Sequence, residues 1–254
     1  MKENVTVPAV ERALNVLEYF SLKNDEKSLK AIGDDLGIPS ASLFRIIKNL
    51  VSRGYLLQVK SNPPKYVLGY KIPQLAARYS DNYTIANIIK PYMERLSQRT
   101  NQTAQFAVER GKQIIYIEQV LSDAPVNFIA HLYTPMEINT SAGAKCILAQ
   151  WPIETQKSYL EEIVLEKKTE KTIIDKEEYL EELRITRERG FGLDYEEFKK
   201  GICCIAAPVF GSDHECAGAI GVTGGSEEYK NSDKFEDLKK IIVETAGLIS
   251  AKIS

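Results

Sequence analysis

The residues from Ser28 to Gln58, SLKAIGDDLGIPSASLFRIIKNLVSRGYLLQ, constrain the fold more tightly than any other stretch. Leu29, Ile32 and Leu36 fall at i, i+3 and i+7, one apolar stripe of a short helix. Gly37 accepts a positive φ and closes that helix, and Pro39 bars its continuation. A second helix follows, with Ser40 or Ser42 as its expected cap. In it Leu43, Ile46, Ile47 and Leu50 face inward, while Ser42, Arg45, Lys48 and Asn49 face out. Gly54 ends it, and Tyr55-Leu56-Leu57 begins a strand. Two short helices joined by a tight turn, the second showing hydroxyl, amide and cationic groups, predict a helix-turn-helix whose second helix lies in a DNA major groove.

The charge pattern agrees with a polyanionic partner. From Gly37 to Gly69 there are five cations (Arg45, Lys48, Arg53, Lys60, Lys65) and no acid. A duplex favours that asymmetry through release of condensed counterions. Lys65 to Gly69 is a short strand expected to pair back on Tyr55 to Val59, with Ser61-Asn62-Pro63-Pro64 as the turn. A hairpin after the second helix makes a winged helix. Base edges and phosphates are expected to be contacted by Ser40, Ala41, Ser42, Arg45, Lys48 and Asn49, and by Lys65 on the wing.

Three runs here, PAVERALNVLEYF, LFRIIKNLVSRGYL and KYVLGYKIPQLA, resemble the DNA-binding domain of the isocitrate lyase regulator (IclR) family. The resemblance extends over nearly the whole chain. It implies a bacterial transcriptional regulator, such as a repressor, that binds a palindromic operator in double-stranded DNA. It further implies control of a catabolic operon in response to a small organic effector. A homodimer or a dimer of dimers is expected, with the first helix pairing subunits. No cofactor and no membrane partner is implied.

Length and charge agree with two domains. The chain has 254 residues, 44% of them hydrophobic and 27% charged, enough for two modest cores. Residues 1–69 carry 10 basic and 7 acidic groups, the remainder 23 and 28. A basic first third followed by an acidic rest separates a nucleic-acid module from one that does not touch DNA. The start, MKENVTVPAVERAL, lacks an apolar signal-type stretch, and no run is long enough to span a bilayer, so a cytoplasmic location is expected. Cys146, Cys203, Cys204 and Cys216 form no CxxC pair, and neither a structural metal nor a disulfide framework is expected.

The expected fold class is α+β: a winged helix-turn-helix domain over 1–69, a linker helix over 70–80, and a GAF-like α/β effector-binding domain over 81–254. Val7 to Phe20 reads as an amphipathic helix with Val10, Ala13, Leu14 and Leu17 on its apolar face and Tyr19 and Phe20 closing it, and Lys23 to Lys27 as a charged loop. Pro73 must sit in the first turn of the linker helix. Asp81 to Thr100 keeps a helical period, started or interrupted by Pro91. Thr103 to Glu109 and Gln113 to Val120 read as a hairpin, and Val126, Phe128 and Ala130 alternate as a third strand. Ser141 caps a helix to Trp151, Pro152 to Glu166 forms another, and Asp175 caps a third that Gly190 terminates. Phe191 to Glu196, Ile202 to Phe210 and Cys216 to Thr223 are strands, and Ser232 to Lys252 is a closing helix.

The run RGFGLDYEEFKKGICCIAAPVFGSDHECAGAIGVTG resembles the signature of the IclR effector domain. That resemblance maps the effector contacts onto Ala142, Gly143, Asp194, Ile202, Cys204, Gly221 and Thr223, with Phe128 and Met136 as an apolar wall. A helix start with small residues lets backbone N–H groups approach a carboxylate, and the polar side chains supply oriented hydrogen bonds. An organic or aromatic acid is the effector implied. Two departures from the family pattern stand out. The chain has Ala144-Lys145-Cys146 in place of Gly-Lys-Ala, and Gly221 where many relatives place serine. The second is expected to leave room for a bulkier or less polar ligand.

An enzyme using Cys203 or Cys204, with an appended DNA-binding domain, is the rival from another class. A nucleophilic thiol needs a base within reach. His131 and His214 sit in no catalytic motif, and GxSxG, P-loop and HExxH are absent. No catalytic residue is expected.

Overall fold

The computed structural model describes residues 7–22, 25–80, 84–125 and 127–254. Lys23, Asp81 and Val126, read above into a loop, a helix start and a strand, lie outside the described residues. The chain divides into two compact units, Met1–Tyr83 and Thr84–Ser254.

In the first unit α1 (Pro8–Leu22) precedes a short strand β1 (Lys27–Ser28), then α2 (Leu29–Leu36) and α3 (Ser40–Ser52). Ser28 Oγ accepts from Ala31 N at 3.3 Å and caps α2, and Gly37 ends it at φ 63°. The cap of α3 differs from expectation. Pro39 occupies the cap position with no side-chain bond, Ser40 is already helical, and Ser42 Oγ accepts from Arg12 Nη1 of α1 at 3.2 Å instead. The wing is β2 (Leu56–Val59) and β3 (Lys65–Leu68), antiparallel, with β1 on the far side of β3. Ile32, Leu43, Ile47, Leu50, Leu56 and Tyr66 close a core with Val16, Tyr19 and Phe20 of α1.

Tyr19, Phe20 and the half-buried Leu17 turn inward as expected, but the N-terminal part of the expected face does not. Val10 and Leu14 stand 55% and 51% exposed, together with Val7 at 56%. The helix has two apolar faces, one buried in its own unit and one not. Periodicity alone cannot tell which of two such faces a domain buries. α4 (Lys71–Ser80) completes the unit, with Pro73 in its first turn.

The second unit is built on a five-stranded antiparallel sheet, order β5-β4-β8-β7-β6. The strands are β4 (Thr103–Arg110), β5 (Gln113–Val120), β6 (Gly192–Tyr195), β7 (Ile202–Phe210) and β8 (Cys216–Gly225). Cys203, Ile205 and Ala207 point to one face, where α5 (Thr84–Thr100) and α10 (Ser232–Ile253) pack. α5 continues through Pro91. The other face, with Ala107, Ala206 and Ala219, is covered by α6 (Ala142–Leu148), all seven residues of which are buried. α7 (Ile153–Glu162) stops short of the expected Glu166, and α8 (Lys176–Arg189) runs between its Asp175 cap and Gly190. A short α9 (Ser226–Lys230) follows β8.

Small residues let α6 lie close on this sheet. A Cβ at Gly143 would meet Ala107 Cβ at 3.1 Å, and one at Gly192 would meet the Ala142 carbonyl at 2.4 Å. Cys146 bolts the layer: its thiol donates to Ala206 O at 3.1 Å and accepts from Gly192 N at 3.0 Å.

Residues 127–131 do not form the expected third strand. Ala130 N donates to Gln119 Oε1 at 3.0 Å, and Gln119 Nε2 donates to Ala130 O at 3.3 Å. One side-chain amide thus occupies the backbone groups that a neighbouring strand would take, so alternation at Phe128 and Ala130 builds no ladder.

Gly192→Ala is expected to destabilise the second unit by about 1–3 kcal/mol through overpacking against α6. Urea unfolding checks it, and an unchanged midpoint would mean that α6 shifts without cost.

Candidate functional site

On the α6 side of the sheet a cavity of about 540 Å³ opens, a size that suits a small organic ligand. Its base is the sheet, through Gln105 of β4, Tyr116 of β5, Cys204 and Ile202 of β7, and Thr223 of β8. Residues 127–131 and 134–137 form one wall, which includes Phe128 and Met136, and Thr140 and Ser141 lead into α6. Asp194, Phe198 and Lys199 form the remaining side.

Six of the nine residues expected around an effector therefore line one cavity: Phe128, Met136, Asp194, Ile202, Cys204 and Thr223. Ala142, Gly143 and Gly221 instead border a pinched hole of about 10 Å³, which shares Gln105, Tyr116 and Cys204 with the cavity. Gly221 opens no extra room. The space for its Cβ is taken by Ile205 O at 2.7 Å and Ala206 Cβ at 2.8 Å. Its cross-strand partner is Gln105, whose amide brings a polar group beside the position where a serine hydroxyl is missing.

A polar chain crosses the floor. Thr223 Oγ1 donates to Gln105 Oε1 at 2.9 Å, so its oxygen accepts from Cys204 Sγ at 3.1 Å. Burial, with Asp194 alongside, pushes the Cys204 thiol well up, and burial pushes Cys203 up to about 12. Neither is a thiolate, and no hydrogen bond joins a cysteine to a histidine among the described residues, so the activated nucleophile a cysteine enzyme requires is not assembled. Burial also raises the Tyr116 phenol, with Ser141 beside it pulling the other way.

Asp194 is the most unusual lining group. It is fully buried. Oδ1 accepts from Glu197 N at 2.6 Å and Phe198 N at 3.3 Å, closing the turn after β6, while Oδ2 meets no donor at hydrogen-bond geometry among the described residues, the nearby Cys204 thiol being turned to Thr223. A buried acceptor left open in this way costs free energy unless something fills it. Burial pushes the carboxyl up to about 6, against the pull of those two amides and of Lys145.

Beneath lies a charge cluster that sequence reasoning missed. Lys145 is wholly enclosed, and its Nζ donates to Glu197 Oε2 and Oε1 at 2.6 and 2.7 Å and to Leu193 O at 2.8 Å. Glu182 Oε1 stands 3.6 Å away and accepts from Arg189 Nη2 at 2.8 Å. The available signal was a lysine inside an otherwise small and apolar helix. Gln105 and Tyr116 were missed as well, each a polar residue within a strand read for its apolar alternation.

In the first unit, Ser40, Ala41, Arg45, Lys48 and Asn49 are exposed along α3 and Ser42 is half-buried. Arg45 and Lys48 make no hydrogen bond or ion pair among the described residues, so their charge is uncompensated. Lys65 is placed differently, with Nζ 3.5 Å from Glu26 Oε2.

Two family models cover these units. Residues 9–60 match the IclR helix-turn-helix domain, and residues 77–251 match the bacterial transcriptional regulator IclR C-terminal domain. The chain belongs to the IclR family. Among curated IclR-family relatives, the HTH-type transcriptional repressor AllR of Escherichia coli (strain K12) is 25% identical over 245 residues, which span 96% of this chain and 90% of AllR. The HTH-type transcriptional regulator XynR of the same strain is 27% identical over 218 residues, 85% and 86% of the two chains. Crystal structures share the fold: IclR of Thermotoga maritima has a TM-score of 0.81 at 24% identity, covering 96% of this chain and 98% of that one. An IclR homologue of Microbacterium hydrocarbonoxydans, solved with 4-hydroxybenzoate, has a TM-score of 0.82 at 22% identity over the same shares. This IclR-family chain is thus a transcriptional regulator with a DNA-binding helix-turn-helix, not an enzyme. Among its described residues no helix is long and apolar enough to cross a membrane.

The Asp194 carboxyl gives a pH signature. Its folded value lies above the ordinary 3.8, so between about pH 4 and about pH 6 the folded chain holds more proton than the unfolded one. Stability from this group is therefore greatest at the acid end and is lost as pH rises through about 6. The rise from 3.8 to about 6 is worth at most about 3 kcal/mol. Asp194→Asn should flatten that part of the curve of melting temperature against pH. A variant with the wild-type slope would place the titration elsewhere.

Proposed function

We propose that this IclR-family regulator binds a palindromic operator through α3 and the wing, and holds an organic or aromatic acid in the cavity over the sheet. The observation that carries the effector half is the cavity that Asp194 helps to line, with one buried carboxylate oxygen left unpaired among the described residues. A carboxyl pushed up to about 6 accepts a proton when an anion approaches. Asp194 then donates to an acid or, unprotonated, accepts from a hydroxyl. The 4-hydroxybenzoate held by the Microbacterium homologue carries both groups, which supports the same ligand class here.

Regulation follows if the effector prefers one of two arrangements that differ in DNA affinity; ligand and operator are then reciprocally coupled. A catabolic operon is the target that suits a small-acid signal. The exposed stripe of Val7, Val10 and Leu14, at i, i+3 and i+7, suits a second copy of α1, and a two-fold dimer suits a palindrome. Sedimentation should show Leu14→Glu shifted toward monomer, and a wild-type distribution would remove α1 from the subunit contact.

A thermal-shift screen of sugar acids, aromatic acids and short oxo-acids identifies the effector. Fluorescence anisotropy on a labelled operator then tests the coupling. Asp194→Ala is expected to keep the effector-free operator affinity and to need about 5–150 times more effector for the same response, equivalent to about 1–3 kcal/mol. Response at the wild-type concentration would leave Asp194 as a brace for its turn.

A further inference from the structure

The outward face of α3 carries one residue that neither phosphate binding nor the core explains. Leu43, Ile47 and Leu50 are buried, and the opposite face presents Ala41, Phe44, Arg45 and Lys48 at i, i+3, i+4 and i+7. Phe44 stands 55% exposed at the edge of that face, one turn before Lys48. An aromatic ring held in water beside two uncompensated cations gains nothing in the free chain. A partner that binds those cations would bury it.

The surroundings identify that partner. A ring has no donor or acceptor for phosphate, so Phe44 adds nothing to backbone attachment, which falls to Arg45 and Lys48. With those cations on phosphates, a ring beside them on a helix seated in the major groove reaches base edges. The one apolar group on those edges in the major groove is the C5-methyl of thymine. A second copy of this face is a poor alternative, because a two-fold contact would bring the cations of both copies together with no acid from Gly37 to Gly69 to separate them. We propose that Phe44 is a specificity-determining residue that reads a thymine methyl at one position of each operator half-site.

The inference rests on the operator-binding reading, and a test with random DNA separates the two. Full-length wild type, Phe44→Ala and Phe44→Leu are each used to select from a library of random-sequence duplexes. The best wild-type site is then remade with deoxyuridine replacing each thymine in turn. Wild type should require one thymine per half-site and lose about fourfold in affinity per half-site when that methyl is removed, the loss expected for one buried methyl. Phe44→Ala should select without that thymine and bind the uracil and thymine sites equally, while Phe44→Leu keeps the preference.

Several results would overturn it. One is Phe44→Ala selecting the same thymine with the same uracil penalty. Another is an equal loss on every sequence by both variants at normal circular dichroism, which would make Phe44 a prop for the helix. A shift of Phe44→Ala to smaller species in sedimentation, with unchanged selection, would assign the ring to a protein contact. If wild type selects no sequence at all, operator reading itself fails, and Phe44 with it.

Discussion

The buried ion pair of Lys145 with Glu197 is the interaction on which the effector domain depends. A lysine ammonium with no exposure to water is tolerated only where every donor is met, and here two carboxylate oxygens and the Leu193 carbonyl meet it. The pair fixes α6 to the turn after β6. That same turn carries Asp194, whose Oδ1 closes it through the Glu197 amide. One residue, Glu197, thus uses its side chain to hold the helix and its backbone to orient the cavity's acid. Glu182 and Arg189 extend the cluster into α8, so two helices and one strand share a single electrostatic junction.

The DNA-binding unit is organised differently. Its helices meet through apolar side chains close in sequence, and α1 adds polar links: Tyr19 Oη donates to Asp35 Oδ2 at 2.6 Å, and Arg12 reaches Ser42. Those links tie the first helix to both members of the helix-turn-helix.

How much of this was legible in the sequence depended on the range of each interaction. Gly37, Asp175 and Gly190 act within a turn of their own helix, and the structure places each at the terminus expected from its neighbours. Cavity residues such as Cys204 and Thr223 were reached through family resemblance, and the sheet register that makes them adjacent is absent from either segment alone. Lys145 and Glu197 lie 52 residues apart, and no local pattern couples them. The two failures on alternation have one cause. Val10 and Leu14, and Phe128 with Ala130, carry the right period, but period reports which residues share a face, not what that face meets.

The wall made by residues 127–131 has a further consequence. It borders β5 through the Gln119 amide and the Asn127 bonds to Thr103 and Ser122, not through a ladder. A strand in that place would lock its length, since a one-residue change inverts every side chain along it. Without a ladder, the segment can gain, lose or exchange residues while the five-stranded sheet beneath stays unchanged. A change of cavity size or chemistry made in this stretch would therefore leave the core's register intact.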